Sequence, residues 1–208
     1  MTPAQRTRAL AAALEAAAPQ LDRMQALGRR VGERLLAGSR LLAAGNGGSA
    51  AQAQHLAAEL AGRFEAERRP LSALALCADL SATTAIANDY GYPELFARQV
   101  AAHGRAGDVL VALSTSGASP NVLAAALTAR SLRMSVIGLT GPDDCPLCEL
   151  CDDALCVPGA ATATVQEVHL LALHVLCDGV ETAVAAARLP EVVRWLGPAR
   201  RQHQEATA

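Results

Sequence analysis

His55 and Glu59 are four residues apart in a stretch, 49–63, whose pattern predicts a helix, so imidazole and carboxylate share one face. Such a pair can hold zinc or move protons, although taken alone it is more often a surface hydrogen bond. Gln166 and His174 lie eight apart in a longer apolar stretch, 163–187, and helical spacing sets them on roughly the same side. Two loops add a different chemistry. Gly45-Asn46-Gly47-Gly48-Ser49 follows an apolar run and opens a helical pattern. Its glycines let the backbone approach a ligand, and the helix start offers N–H groups and positive dipole to an anion. Ser114-Thr115-Ser116-Gly117-Ala118-Ser119 follows another apolar run, and Pro120 suits the first turn of a helix capped by Ser119. The hydroxyls of Ser114, Thr115, Ser116 and Ser119 beside a helix start make a cradle for phosphate, and the plainer alternative is a serine-rich cap.

These side chains need a scaffold. Short apolar runs at 40–44, 72–77, 108–114, 134–140 and 154–157 read as strands buried on both faces, because they are continuous rather than alternating. Helical patterns at 49–63, 80–88, 93–103, 119–132, 145–151 and 163–187 fall between and after them. The alternation predicts an α/β, Rossmann-like parallel sheet flanked by helices on both faces. Both loops then sit at strand carboxyl ends, where open α/β sheets bind ligands. Residues 3–37 predict an N-terminal helical extension of one or two helices interrupted near Pro19, packed on the core or on another subunit. A last short helix is expected from Pro190. The whole chain reads as one domain: N-terminal helices at 1–38, an α/β core at 39–196 and a polar tail at 197–208.

In motif order the chain resembles the sugar isomerase domain family and, within it, the phosphoheptose isomerases. The resemblance rests on the two loops, on Gln54-His55-Leu56-Ala57-Ala58-Glu59-Leu60 with Gly62-Arg63, on Ala87-Asn88-Asp89-Tyr90-Gly91, and on Val165-Gln166-Glu167-Val168-His169 leading to His174. It runs from about 40 to 187. It implies isomerisation of sedoheptulose 7-phosphate between ketose and aldose through an enediol, early in the making of activated heptose. It further implies zinc (Zn2+) held by His55, Glu59, Gln166 and His174, with Glu59 and His174 as acid–base groups and Gln166 also facing substrate. Ser49, Ser114, Thr115, Ser116 and Ser119 would hold the phosphate, and Asn46, Arg63 and Asp89 would line the sugar site. A homotetramer with active sites at subunit interfaces is implied too. One departure stands out: some relatives carry Asp three residues before the glutamine, and here that residue is Ala163.

Composition removes competing classes. Net charge is -2, pI is about 6.2 and aromatic residues make up 2%, so neither the basic footprint nor the stacking surface of a nucleic-acid binder is present. All 18 basic residues are Arg, which excludes Schiff-base lysine chemistry and a Walker-type loop. Charged residues and glycines break the apolar stretches, and MTPAQRTRAL lacks an apolar signal core, so a cytoplasmic protein with no membrane partner is expected. Cys145, Cys148 and Cys151 form a C-x-x-C-x-x-C run that invites a metal reading, but spacings of three along a short helix favour packing. The alternative function is a non-catalytic relative that binds sugar phosphates or regulates replication initiation. Such a protein needs no metal quartet, and the quartet's residue types favour the enzyme. A regulator with its own helix-turn-helix is disfavoured, since residues 1–38 are too few and too balanced in charge.

Overall fold

The computed structural model describes residues 1–187. The strands are β1 (Leu41–Gly45), β2 (Ala73–Ala75), β3 (Val109–Ser114), β4 (Ser135–Thr140) and β5 (Asp153–Cys156). All are parallel, in the order β2-β1-β3-β4-β5. The helices are α1 (Pro3–Leu36), α2 (Gly48–Ala61), α3 (Leu80–Tyr90), α4 (Leu95–His103), α5 (Pro120–Ser131), α6 (Pro146–Leu150) and α7 (Thr162–Ala186). A one-turn 3-10 helix, Tyr92–Glu94, precedes α4, so the helix expected at 93–103 starts with a tighter turn.

Every residue of β1 and β3 is buried, which accounts for their unbroken apolar sequences. Leu41, Ala43, Val109, Val111 and Leu113 face a layer of α1, α2 and α7. Leu42, Ala44, Leu110 and Ala112 face α4, α5 and α6 on the other side. The expected sheet with both faces covered is therefore what the chain forms. The strand expected over 72–77 pairs only at Ala73–Ala75, as befits an edge.

The N-terminal region is one helix, not two. Pro19 lies inside α1 on its exposed side, so the backbone carbonyl that loses its partner faces water and the helix runs on. Flanking anchors hold it: Ala17 and Met24 are buried, and the Gln20 side chain donates to Cys156 O and accepts from Cys156 N, both at 2.9 Å. Those bonds cover the β5 edge. Further along, Gly28 faces Gly179, and a Cβ on either would strike the other helix's backbone. The missing side chains let α1 and α7 pack backbone to backbone.

By length and composition α7 is apolar enough to cross a membrane, but half of that window is buried inside the fold. Val165, Val168, Ala172, Leu173, Leu176 and Val180 account for this as core positions. The short helix expected from Pro190 and the tail at 197–208 lie outside the described residues.

Candidate active site

After β1 the chain crosses to β2 on one side, and β3 then takes the other side of β1. The strand order reverses between β1 and β3, the position where open α/β sheets leave a crevice at their carboxyl ends. Both motif loops emerge there. They are tied together, since Asn46 Nδ2 donates to Asn121 Oδ1 at 2.9 Å and Asn121 Nδ2 donates back to Asn46 Oδ1 at 2.8 Å. Tyr92 Oη adds a third strut, donating to Asn46 Oδ1 at 2.7 Å. Gly47 holds the first loop at φ +52, and the buried Ser49 packs under Gly45.

In the second loop Ser114 is buried and its hydroxyl is the hub. Ser114 Oγ lies 2.9 Å from Ser119 Oγ and 3.3 Å from Ser116 Oγ. Ser119 occupies the cap position of α5 but makes no capping hydrogen bond, because its hydroxyl turns toward Ser114. The plain helix-cap reading of this serine run is thus not what forms. Ser116 Oγ accepts from Ala118 N at 3.3 Å, and half-buried Thr115 passes its carbonyl over Gly141, where a Cβ would collide with it. Gly117, at φ +65, makes the turn. The result is a ring of hydroxyls at a helix start, suited to an anion.

Further along α2, His55 Nε2 lies 3.0 Å from His174 Nε2 and 3.3 Å from Glu59 Oε1. The helical spacing expected for His55 and Glu59 holds, and α7 supplies His174 across the layer. Phe64 stacks near His174 with ring centroids 5.7 Å apart. The last turn of α2 is fixed from below by buried Arg68, which donates to Glu59 O at 2.5 Å and Leu60 O at 2.9 Å and lies 3.6 Å from Glu181 Oε1. Gln166 is elsewhere: its carbonyl accepts from Gln52 Nε2 at 2.6 Å, and its carboxamide packs on Gly48, where a Cβ would run into it. No hydrogen bond among the described residues joins that carboxamide to His55, Glu59 or His174.

Two imidazoles and a carboxylate are zinc-type donors. Yet among the described residues no group of three or more His, Cys, Asp or Glu is set out as a finished metal site. The 3.0 Å between imidazole nitrogens is hydrogen-bond spacing. Ligands of a tetrahedral zinc at 2.0–2.1 Å would stand about 3.3 Å apart. The donors fit zinc by type and miss its spacing by a few tenths of an ångström.

Arg63 is exposed just beyond α2 and donates to Glu65 O at 3.1 Å. Asp89 is exposed near the end of α3, accepts from Asn88 Nδ2 at 2.8 Å, and lines an open cleft with Tyr90, Arg98 and His103. Neither contacts the hydroxyl ring or the trio within the described hydrogen bonds.

Residues 6–141 match the family model described as SIS domain. The chain belongs to the SIS domain family. A phosphoheptose isomerase from Streptomyces coelicolor is 59% identical over 160 residues, covering 75% of this chain and 69% of that protein. Among solved structures, the phosphoheptose isomerase from Neisseria gonorrhoeae superposes with a TM-score of 0.79 at 42% identity, covering 86% of this chain and 96% of that one. The one from Francisella tularensis gives 0.77 at 36% identity, covering 88% and 100%.

This SIS domain holds contacts around the candidate site that the motifs did not announce. Asn121 and Tyr92 buttress Asn46, and Arg68 holds the α2 end. The signal for Asn121 was its place right after Ser119-Pro120; Tyr92 and Arg68 left none in sequence. His169, three residues beyond Gln166, is a fully buried core residue. Its Nε2 donates to Thr140 O at 3.0 Å and its Nδ1 is buried without a partner. Burial, partly opposed by that hydrogen bond, lowers its pKa from 6.5 to about 4.

Proposed function

We propose that this SIS domain converts sedoheptulose 7-phosphate to an aldoheptose 7-phosphate through an enediol, an early step toward activated heptose, in the cytoplasm. The observation that carries this reading is the trio of His55, Glu59 and His174, two of whose members lie on α2, the helix that follows the Asn46 loop tied through Asn121 to the helix of the hydroxyl ring. His55 follows Gly48 by seven residues, about 10 Å along α2. That separation suits a long sugar phosphate whose reacting carbons stand far from its phosphate, which is where C1 and C2 of a heptose 7-phosphate are. The names of the relatives point to the same substrate.

In this reading Ser49, Ser114, Thr115, Ser116 and Ser119 hold the phosphate, and Asn46, Arg63 and Asp89 line the sugar path. Glu59 takes a proton from C1 and returns it to C2. His174 gives a proton to O2 as the enediol forms and receives the O1 proton as it collapses to the aldehyde. His55 orients both. Zinc bound by His55, Glu59 and His174, with Gln166 as a fourth donor, would supply positive charge for O1 and O2. Gln166 reaches that role only if its carboxamide leaves Gly48. The position of Ala163 carries no carboxylate, so proton movement here rests on Glu59 and His174.

A homotetramer with active sites at subunit interfaces fits the uncovered apolar surface. No residue of α3 is buried, and Leu80, Tyr92, Leu170 and Leu171 are exposed. Light scattering at micromolar concentration should give four chains, and a monomer would refute the assembly.

The deciding experiment incubates purified protein with sedoheptulose 7-phosphate, with added zinc and after chelation, and follows carbon NMR for an aldose. Conversion that depends on zinc is expected. Absence of conversion in both conditions would replace this reading with a non-catalytic sugar-phosphate binder.

A further inference from the structure

We propose that Cys145 and Cys148 are a reversible oxidation site, a dithiol that closes to a disulfide and thereby disturbs the phosphate loop. Their sulfurs stand 3.0 Å apart, so a small side-chain rotation brings them to the bonding distance of about 2.05 Å. Both are free thiols, with Cys145 buried and Cys148 half-buried, so an oxidant meets Cys148 first. Burial raises the pKa of the Cys145 thiol, which suits it to the second, resolving role. Cys156 stands 3.7 Å behind Cys148, and Thr140 Oγ1 lies 3.3 Å from Cys156 Sγ. Cys151 is set apart against Gly138, with its thiol pushed up to about 12 by burial and neighbouring thiols.

The pair sits against the hydroxyl ring. Gly117 packs on Cys145 so closely that a Cβ there would collide with the sulfur, and Leu147 N donates to Gly117 O at 3.0 Å. Gly117 is held at φ +65 between Ser116 and Ser119. Drawing Cys145 Sγ toward Cys148 removes the atom that backs this turn, so the ring loosens when the disulfide forms.

The oxidant is a hydroperoxide. The Cys148 thiolate attacks one peroxide oxygen, the O–O bond breaks, and a sulfenic acid and water result. Cys145 then gives up its proton, its sulfur attacks the sulfenic sulfur, and a second water leaves. Two thiols lose two electrons and hydrogen peroxide becomes two waters.

The effect on the loop rests on the phosphate-cradle reading; the disulfide does not. Purified protein is treated with one equivalent of hydrogen peroxide, capped with iodoacetamide and mapped by tandem mass spectrometry, and inorganic phosphate is titrated calorimetrically into the reduced and oxidised forms. A Cys145–Cys148 cross-link reversed by dithiothreitol, with phosphate affinity lowered at least several-fold in the oxidised form, is expected. C148S should keep reduced-state activity and lose the response, and C156S should keep both. A Cys148–Cys156 link, no link, or unchanged phosphate affinity after linking would overturn the proposal. So would zinc in the isolated protein that C148S removes, which would make this a metal site. If phosphate binds neither form, the cradle reading and the loop effect both fail, while the mass map still judges the disulfide.

Discussion

The hydroxyl ring and the His–Glu–His trio are built in opposite ways. The ring takes Ser114, Ser116 and Ser119 from six consecutive residues, and one turn brings their oxygens within 3.3 Å of the Ser114 hub. The trio takes His55 and His174, 119 residues apart, and needs two helices packed on the same sheet face to bring their nitrogens to 3.0 Å. A local site tolerates movement of the scaffold; a site split between helices depends on their packing. The two should therefore answer differently to the same insult.

The largest expected effect is at the trio. Glu59→Gln keeps the size of the side chain and removes the proposed base, and turnover should fall by about two to four orders of magnitude. Binding of sugar phosphate through the ring should survive. If turnover and binding fall together, the two regions are not separable and the comparison breaks.

Acid comes next, because it acts on the packing that the trio needs. His169 ties α7 to the carboxyl end of β4 and is held neutral with a pKa of about 4. Above pH 6.5 it is neutral folded and unfolded. Between about 6.5 and 4 the unfolded chain gains a proton that the folded chain refuses, so stability falls as pH falls, by up to about 3 kcal/mol. Urea melts at pH 7 and pH 4.5 should differ by roughly this amount, and His169→Gln should flatten the difference. An unchanged difference in that variant would assign acid sensitivity to other groups.

At the ring, Ser116→Ala removes what the proposed function makes a donor to phosphate, worth about 1.5–3 kcal/mol, so KM should rise about tenfold to a hundredfold while kcat changes little. A fall in kcat with KM intact would place Ser116 near the reacting carbons instead. Smallest is Tyr92→Phe, which deletes one exposed hydrogen bond to Asn46. About 0.5–1.5 kcal/mol, a rise in KM of about twofold to just over tenfold, is expected from steady-state kinetics. A larger change would show that the Asn46–Asn121 bridge, more than the serines, sets the cradle.

How much of this was legible in the chain varies with the distance over which each feature is decided. Strand and helix positions came from local apolar patterns, and context decided what those patterns left open. Pro19 did not break α1, because its exposed side lets water take the freed carbonyl and Gln20 fastens the next turn to β5. The Ser119 cap was legible as a cap, but its hydroxyl turned to Ser114, a choice set by the loop's own fold.

By itself the sequence determined the alternation of strands and helices, the hydroxyl loop, and the shared helical face of His55 and Glu59, because each depends on spacing within a few turns. Tertiary structure alone decided that β1 and β3 are neighbours at the point of reversal, that Asn121 grips Asn46, that His174 meets His55 while Gln166 rests on Gly48, and that a cysteine read as packing backs the hydroxyl loop. Those pairings join residues from 28 to 119 positions apart, such as Cys145 with Gly117 and His174 with His55. Only the docking of helices on a shared sheet selects them, because no local propensity reaches across such spans.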